Sequence, residues 1–355
     1  MAKRIKNPLS AWTRLIGRSL QTVVRKQVRA AVRPALQAAK KVSRRAAKPV
    51  RKAGLPASAS ASALAANWHR GVALGPAGAR RYALYRPPGL GRSEKLPLLV
   101  MLHGCGQDAA AFARCTGMNR LATRERCLVL YPEQERLANA QGCWNWFDTR
   151  SGRAKAEALS ILQAIDQVCR SQPVDPSRVV IAGLSAGASM AALLVTLQPA
   201  RFCALMMHSG VPPGSADSTL SALRAMRGRG RTAALAATPA SMAKEWPALL
   251  VLQGSADGVV APANGRAAVS AWADAAGARA GPARQVQRGQ RYPMTVTDNR
   301  CADGRTVATL VEVAGLGHAW SGGGAGQPFS DPRGPAASRL LWAFAVRQFR
   351  APRRP

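Results

Sequence analysis

The sequence predicts an α/β fold, a mostly parallel central sheet flanked by helices, behind a basic N-terminal helical or disordered extension. Three observations carry this expectation. From about Trp68 onward, short apolar runs alternate with helical segments. Several of those runs end directly in turns rich in Gly, Ser, His and Asp. No Asp or Glu precedes Glu94, which sets the first part of the chain apart. Strands alternating with helices imply a parallel sheet covered on both faces. In open sheets of that kind the ligand crevice lies beyond the carboxyl ends of the strands.

The extension comes first. The 355 residues carry a formal net charge of +34, and sixteen Lys and Arg fall within residues 1–52. Leu9, Trp12, Leu15, Ile16, Leu20, Val23, Val24, Val28 and Val32 recur every three or four positions between the basic residues. That spacing predicts a basic amphipathic helix ending near Pro34. Residues 35–52 are rich in Ala, Lys and Arg, and Pro56-Ala-Ser-Ala-Ser-Ala-Ser reads as a linker. The expected division is a basic arm and linker over residues 1–61 and a globular domain over residues 62–350. The arm reads either as a solvated, weakly helical tail or as an interfacial helix for an anionic or apolar surface. Nucleic acid is not an expected partner, because no nucleic-acid fold accompanies the charge.

No apolar run is long enough to span a bilayer. Basic residues interrupt the start too often for a secretory signal, and the pair Arg44-Arg45 is not followed by an apolar run. The seven cysteines (105, 115, 127, 143, 169, 203 and 301) form no C-x-x-C pair and no zinc spacing, so no structural metal is expected. One or two disulfides stay open.

Within the globular part the expected strands are residues 81–86, 96–102, 127–131, 178–183, 204–207, 248–253 and 306–313. Residues 154–170 and 188–198 have helical composition or spacing. The most informative stretch is Arg178-Val-Val-Ile-Ala-Gly183-Leu-Ser185-Ala-Gly187-Ala-Ser-Met190. An apolar strand runs into G-x-S-x-G and a small-residue helix follows. Two glycines permit a sharp strand-to-helix turn, which exposes the serine hydroxyl in a strained conformation near a helix N-terminus. This pattern predicts the nucleophile turn of an α/β-hydrolase, with Ser185 as the expected nucleophile.

That fold orders its triad as serine, acid, histidine along the chain. Of His69, His103, His208 and His318, the last two follow Ser185. His208 leaves little room for an acid-bearing strand before it. His318, in Gly315-Leu-Gly-His318-Ala-Trp-Ser-Gly-Gly323, lies in a loop after the last strand and is the expected base. Between them, Ala248-Leu-Leu-Val-Leu-Gln-Gly254-Ser-Ala-Asp257 is an apolar strand ending in a tight turn, which makes Asp257 the expected acid. Asp274, Asp298 and Asp303 lack such a strand before them. The strand at 96–102 ends in His103-Gly-Cys105-Gly-Gln107. The loop after that strand supplies one oxyanion N–H and the residue after the nucleophile another, so the backbone N–H groups of Cys105 and Ala186 are the expected donors. A nucleophilic role for Cys105 would need an activating histidine, and none is expected near it.

Six motifs now stand in order: His103-Gly-Cys-Gly-Gln107, Leu130-Tyr-Pro-Glu-Gln134, Gly142-Cys-Trp-Asn-Trp-Phe147, Asp175-Pro-Ser-Arg178, Gly183-Leu-Ser-Ala-Gly187 and Gly315-Leu-Gly-His-Ala-Trp-Ser-Gly-Gly323. Together they resemble the polyhydroxybutyrate (PHB) depolymerase family of esterases, from about Trp68 to Phe349. The resemblance implies hydrolysis of short-chain hydroxyalkanoate polyesters or their oligomers without a cofactor, and maps the family's triad and oxyanion donor onto Ser185, Asp257, His318 and Cys105. Related members are similar to feruloyl and acetylxylan esterases. Trp144, Trp146 and Trp320 flank the motifs as candidate walls of an apolar cleft, with core packing as the alternative. A granule- or nucleic-acid-binding protein on an inactive hydrolase scaffold would be expected to lack a triad member, and none is missing.

Three departures from the family pattern stand out. Gln253 replaces a frequent His and is expected not to touch the triad. Ala188 replaces a frequent Gly. Many members carry a polymer-adhesion domain after the catalytic one, whereas this sequence stops at Pro355, so surface attachment is expected through the basic arm instead, for example to an intracellular granule. A cytoplasmic or granule-associated location follows from the missing signal; the family's secreted members give the extracellular alternative.

Overall fold

The computed structural model describes residues 67–91, 93–230 and 246–350. The arm and linker of residues 1–61 and the start of the expected domain lie outside the described residues.

The strands are β1 (Trp68–Gly75), β2 (Gly78–Tyr85), β3 (Leu96–Leu102), β4 (Leu128–Pro132), β5 (Val174–Leu184), β6 (Ala204–His208), β7 (Ala248–Gly254), β8 (Arg279–Ala280), β9 (Arg284–Val286), β10 (Met294–Arg300) and β11 (Thr306–Val313). They form one sheet in the order β1-β2-β4-β3-β5-β6-β7-β11-β10-β8, with β9 also on β10. The run from β4 to β11 is parallel throughout. Antiparallel strands β1 and β2 close one side, and β10 with β8 and β9 closes the other. A further pair, β12 (Trp320–Ser321) and β13 (Ser330–Asp331), stands apart.

The helices are α1 (Ala109–Thr116), α2 (Met118–Glu125), α3 (Arg153–Ser171), α4 (Ala186–Leu197), α5 (Thr219–Arg224), α6 (Ala263–Ala276) and α7 (Ala337–Arg350). Two cores result, one on each sheet face, because alternate side chains of a strand point to opposite faces. Leu98, Val100 and Leu102 of β3 pack with Ile161 and Ile165 of α3, Leu194 of α4 and Trp272 of α6. Leu99 and Met101 pack with Phe112, Leu121, Leu341 and Phe344 of α1, α2 and α7. A strand buried on both faces is apolar along most of its length, which is why β3 and β4 read as continuous apolar runs and β6 does so up to His208.

Local chemistry sets the ends of α1 and α2. Asp108 caps α1 by accepting the Ala111 N–H at 2.7 Å, and Gly117 ends it with a φ of 62°. Arg126 takes the left-handed conformation after α2 with a φ of 52°. Its guanidinium is held there by Glu94 and by the carbonyls of Pro88 and Gly89.

The strands and helices expected within residues 81–313 all form, with ends shifted by a few residues, whereas the basic helix expected before Pro34 lies outside the described residues. β1 and β10 were not expected. One face of β1 is largely exposed, and β10 mixes Met and Val with Thr, Asp and Asn at mostly half-buried positions, so neither makes an apolar run. The topology is that of an α/β-hydrolase.

Candidate active site

The carboxyl ends of β3, β5, β6, β7 and β11 lie side by side along one edge. Leu102 is in register with Gly183, Leu184 with His208, His208 with Leu252, and Gly254 with Val313. The ends of β3, β5, β7 and β11 each lead into a segment that carries a candidate residue.

After β5 the chain turns at Ser185, whose φ of 57° and ψ of −123° lie outside the regions a side chain normally adopts. Such strain persists only where the surroundings fix it. Two glycines allow it. A Cβ on Gly183 would stand 2.4 Å from the Gly187 backbone, and one on Gly187 would stand 2.2 Å from Leu102 O. The first turn of α4 thereby packs directly on the end of β3, beside the segment that holds Cys105. The Ser185 N–H is committed to His208 O at 2.9 Å.

Asp257 and His318 are brought into direct contact. The Nδ1 of His318 donates to the two Asp257 oxygens at 3.0 and 2.8 Å. Asp257 Oδ1 also accepts the N–H groups of Val259 and Val260, at 3.0 and 2.8 Å. Burial opposes ionisation of this carboxyl, but the His318 ring and the two N–H donors prevail and hold it below the ordinary carboxylate range. The Asp257 side chain is fully shielded from solvent while that of His318 is 12% exposed, an arrangement with the acid sealed in and the base open to a substrate. The turn is kept narrow at Gly254, where a Cβ would stand 2.2 Å from Leu316 O.

Gln253 corrects one expectation: it does touch the acid. Its Nε2 donates to Asp257 Oδ2 at 3.2 Å and to Val260 O at 3.1 Å. It is the last residue but one of β7, so its buried side chain faces the turn it precedes.

The segment after β3 is supported from below by residues of two other motifs. The buried His103 accepts the Gln134 N–H at Nε2, 3.1 Å, so its proton sits on Nδ1 and donates to Gly104 O at 2.9 Å. Burial lowers its pKa to about 4, which keeps the ring neutral. Beneath it, buried Glu157 accepts from Gln134, from the Asn145 N–H and from the Asn145 amide. Buried Arg80 donates to Gln134 Oε1 at 2.6 Å. The N–H groups flanking Cys105 are already engaged, Gly104 with Gln107 Oε1 and Gly106 with Gln141 O. Cys105 itself is disulfide-bonded to Cys143, which fastens this loop to the Trp144 segment and removes its thiol as a nucleophile.

The tryptophans require a second correction. Trp144 and Trp320 are fully buried, and Trp146 is nearly so. Trp144 Nε1 donates to His103 O at 3.0 Å, and Trp320 Nε1 to Ser338 Oγ at 3.2 Å. An indole that is buried needs such a partner for its N–H. Trp144 and Trp320 therefore brace the loops of the site from within the core and do not wall a cleft. Among the described residues no three His, Cys, Asp or Glu side chains gather as a metal ligand set.

Comparison with known proteins bears on the fold and the family. The chain is 32% identical over 240 residues to poly(3-hydroxyalkanoate) depolymerase C of Paucimonas lemoignei, an alignment covering 64% of this chain and 56% of that protein. It is 26% identical over 206 residues to feruloyl esterase B of Neurospora crassa, covering 52% and 67%. The solved acetyl xylan esterase of Aspergillus awamori shares the fold with a TM-score of 0.57 and 19% identity, over 71% of this chain and 93% of that one. The chain spans about half the length of the depolymerases it matches, 56% of the Paucimonas protein and 49% of that of Ralstonia pickettii. Residues 80–288, more than half of the sequence, match the family described as Esterase PHB depolymerase, and the chain belongs to that family.

Proposed function

We propose that this chain is a serine esterase that hydrolyses short-chain polyhydroxyalkanoate, polyhydroxybutyrate above all, or its oligomers. Ser185 is the nucleophile, His318 its general base and Asp257 the group that orients the base. The observation that carries this reading is the Asp257–His318 pair at 2.8 Å, on the same strand-end edge as the strained turn at Ser185. His318 removes the Ser185 proton through Nε2 as Oγ attacks the ester carbonyl. The N–H groups of Cys105 and Ala186 hold the oxyanion. His318 returns the proton to the leaving alkoxide, and water then cleaves the acyl-enzyme by the same steps.

A second reading keeps the mechanism and changes the acyl group, because feruloyl and acetylxylan esterases are also among the relatives. The test is hydrolysis of p-nitrophenyl butyrate, 3-hydroxybutyrate oligomers, methyl ferulate and acetylxylan, with Ser185→Ala as control. Preference for the hydroxybutyrate oligomers supports the polyester reading. Preference for ferulate or acetylxylan replaces the substrate. The control should lower kcat by about 10⁶-fold, as loss of a triad serine does elsewhere; near-normal turnover would exclude Ser185.

The domain of residues 62–350 carries the chemistry in this proposal, and the basic arm of residues 1–61 holds the enzyme on an anionic or granule surface. The arm's excess of Lys and Arg supports that assignment. Full-length protein should co-sediment with anionic vesicles at low salt and be released as salt rises. Binding that ignores both salt and lipid charge would exclude an electrostatic role.

A further inference from the structure

His208 has no part in the proton transfers proposed above, yet it meets both sides of the site. Its carbonyl accepts the Ser185 N–H at 2.9 Å. Its ring lies under the segment that bears His318. Nε2 accepts the Ser321 N–H at 3.1 Å, and Nδ1 stands 3.2 Å from Ser209 Oγ. A ring nitrogen that accepts a backbone N–H carries no proton, so the proton of this neutral ring is on Nδ1, directed at Ser209.

The surroundings leave this arrangement little freedom. His208, Ser209, Trp320 and Ser321 are all fully buried. Trp320 stacks on the His208 ring with centroids 5.0 Å apart and planes 27° apart. Trp320 is tied in turn to Ser338, whose hydroxyl donates to Thr116 O at 2.8 Å. Ser321 Oγ donates to Pro335 O at 2.6 Å. On the other side of His318, the loop is held by the Ala256 N–H on Leu316 O and by the Gly315 N–H on Ser255 Oγ. Those bonds fix the loop on the β7 side. The bond from Ser321 fixes it to β6, the strand beside the nucleophile's own.

We infer that His208 is a positioning residue for the triad: its main-chain carbonyl holds the backbone of Ser185, and its neutral Nε2 holds the backbone three residues beyond His318, so that the side chain ties the base-bearing loop to the strand position that already fixes the nucleophile. The inference rests on the esterase reading and adds a residue to it. Burial, with the nearby His318 as a lesser cause, lowers the His208 pKa to about 3, so the ring stays a proton acceptor throughout the range in which an ester hydrolase of this type works.

Glutamine and asparagine distinguish this role from mere packing. The Gln side chain places its amide oxygen close to where Nε2 stands, whereas that of Asn falls short. On the full-length chain with p-nitrophenyl butyrate, His208→Gln should keep kcat within about threefold, and His208→Asn should lose about 10²-fold in kcat with KM little changed, as a displacement of roughly 1 Å does. Equal kcat for the two variants, or a rise in KM in place of the loss in kcat, overturns the inference. A second measurement is independent of activity and of variant folding. The ¹⁵N spectrum of the wild-type imidazoles should show His208 as the Nδ1–H tautomer with Nε2 unprotonated. The Nε2–H tautomer overturns the inference whatever the kinetics. A wild-type chain inactive on every ester sinks the esterase reading, and the spectrum then decides the geometry of His208 by itself.

Discussion

Gln253 Nε2 and His318 Nδ1 converge on the same oxygen, Oδ2 of Asp257, at 3.2 and 2.8 Å. A carboxylate oxygen held by a fixed amide cannot rotate away from the ring it orients. Gln253→Leu should therefore lower kcat by about tenfold, roughly 1.4 kcal/mol of transition-state stabilisation, with KM unchanged. Stability should also fall, by about 1 kcal/mol, because Val260 O loses the donor that Gln253 Nε2 supplies while the removal of the unpartnered Gln253 Oε1 offsets part of that cost. Steady-state kinetics beside a thermal melt separates the two effects. An unchanged kcat would show that the Val259 and Val260 N–H groups suffice to orient Asp257.

The Cys105–Cys143 bridge closes a loop with a sequence separation of 38 and sits at a proposed oxyanion donor. Chain-entropy reasoning assigns such a loop about 4 kcal/mol of stability. Its second effect is on the donor's position. The double variant Cys105→Ala with Cys143→Ala keeps the backbone N–H but frees the loop, and should lose about tenfold in kcat, less than the 10²–10³-fold of a donor removed outright. A lower melting temperature with unchanged kcat would make the bridge structural alone. The oxidation state of the pair in protein taken directly from cells also tests location, since cytosolic thiols are kept reduced.

What the sequence made legible follows from which residues must lie where. Every candidate triad residue sits where an apolar strand gives way to Gly, Ser, Asp or His, and that transition is visible without a structure. The contact of Gln253 with Asp257 is not legible in the sequence, because Gln253 lies within the apolar strand, where a pattern of burial does not tell which way a polar side chain reaches. The nearness of Trp144 and Trp320 to the motifs in the sequence suggests cleft walls. Their indole N–H groups instead satisfy the carbonyl of His103 and the hydroxyl of Ser338, contacts between segments far apart in the chain. The partner of Cys105 was illegible for the same reason, as was the bond from Ser321 to His208, a separation of 113 residues.

Two buried histidines give the protein a definite response to acid. His103 and His208 are each almost wholly buried, and burial lowers their pKa values from 6.5 to about 4 and about 3. In the unfolded chain both return to the ordinary value, so between pH 6.5 and those lowered values the unfolded state binds more protons than the folded one. Stability is then complete above about pH 6.5 and is lost as pH falls through the window, at up to about 1.4 kcal/mol per unit for each ring. Asp257, held below the ordinary carboxylate range, acts in the same direction at the lower end, its contribution fading as pH falls through its folded value. Urea midpoints at pH 7.5, 6, 5 and 4 should fall steadily. His208→Gln, which has no proton to gain, should flatten the curve while leaving the His103 part in place. A midpoint that holds level from pH 7.5 to 4 would mean that neither ring is kept neutral by burial, and with it would go the reason for His208 to serve as an acceptor.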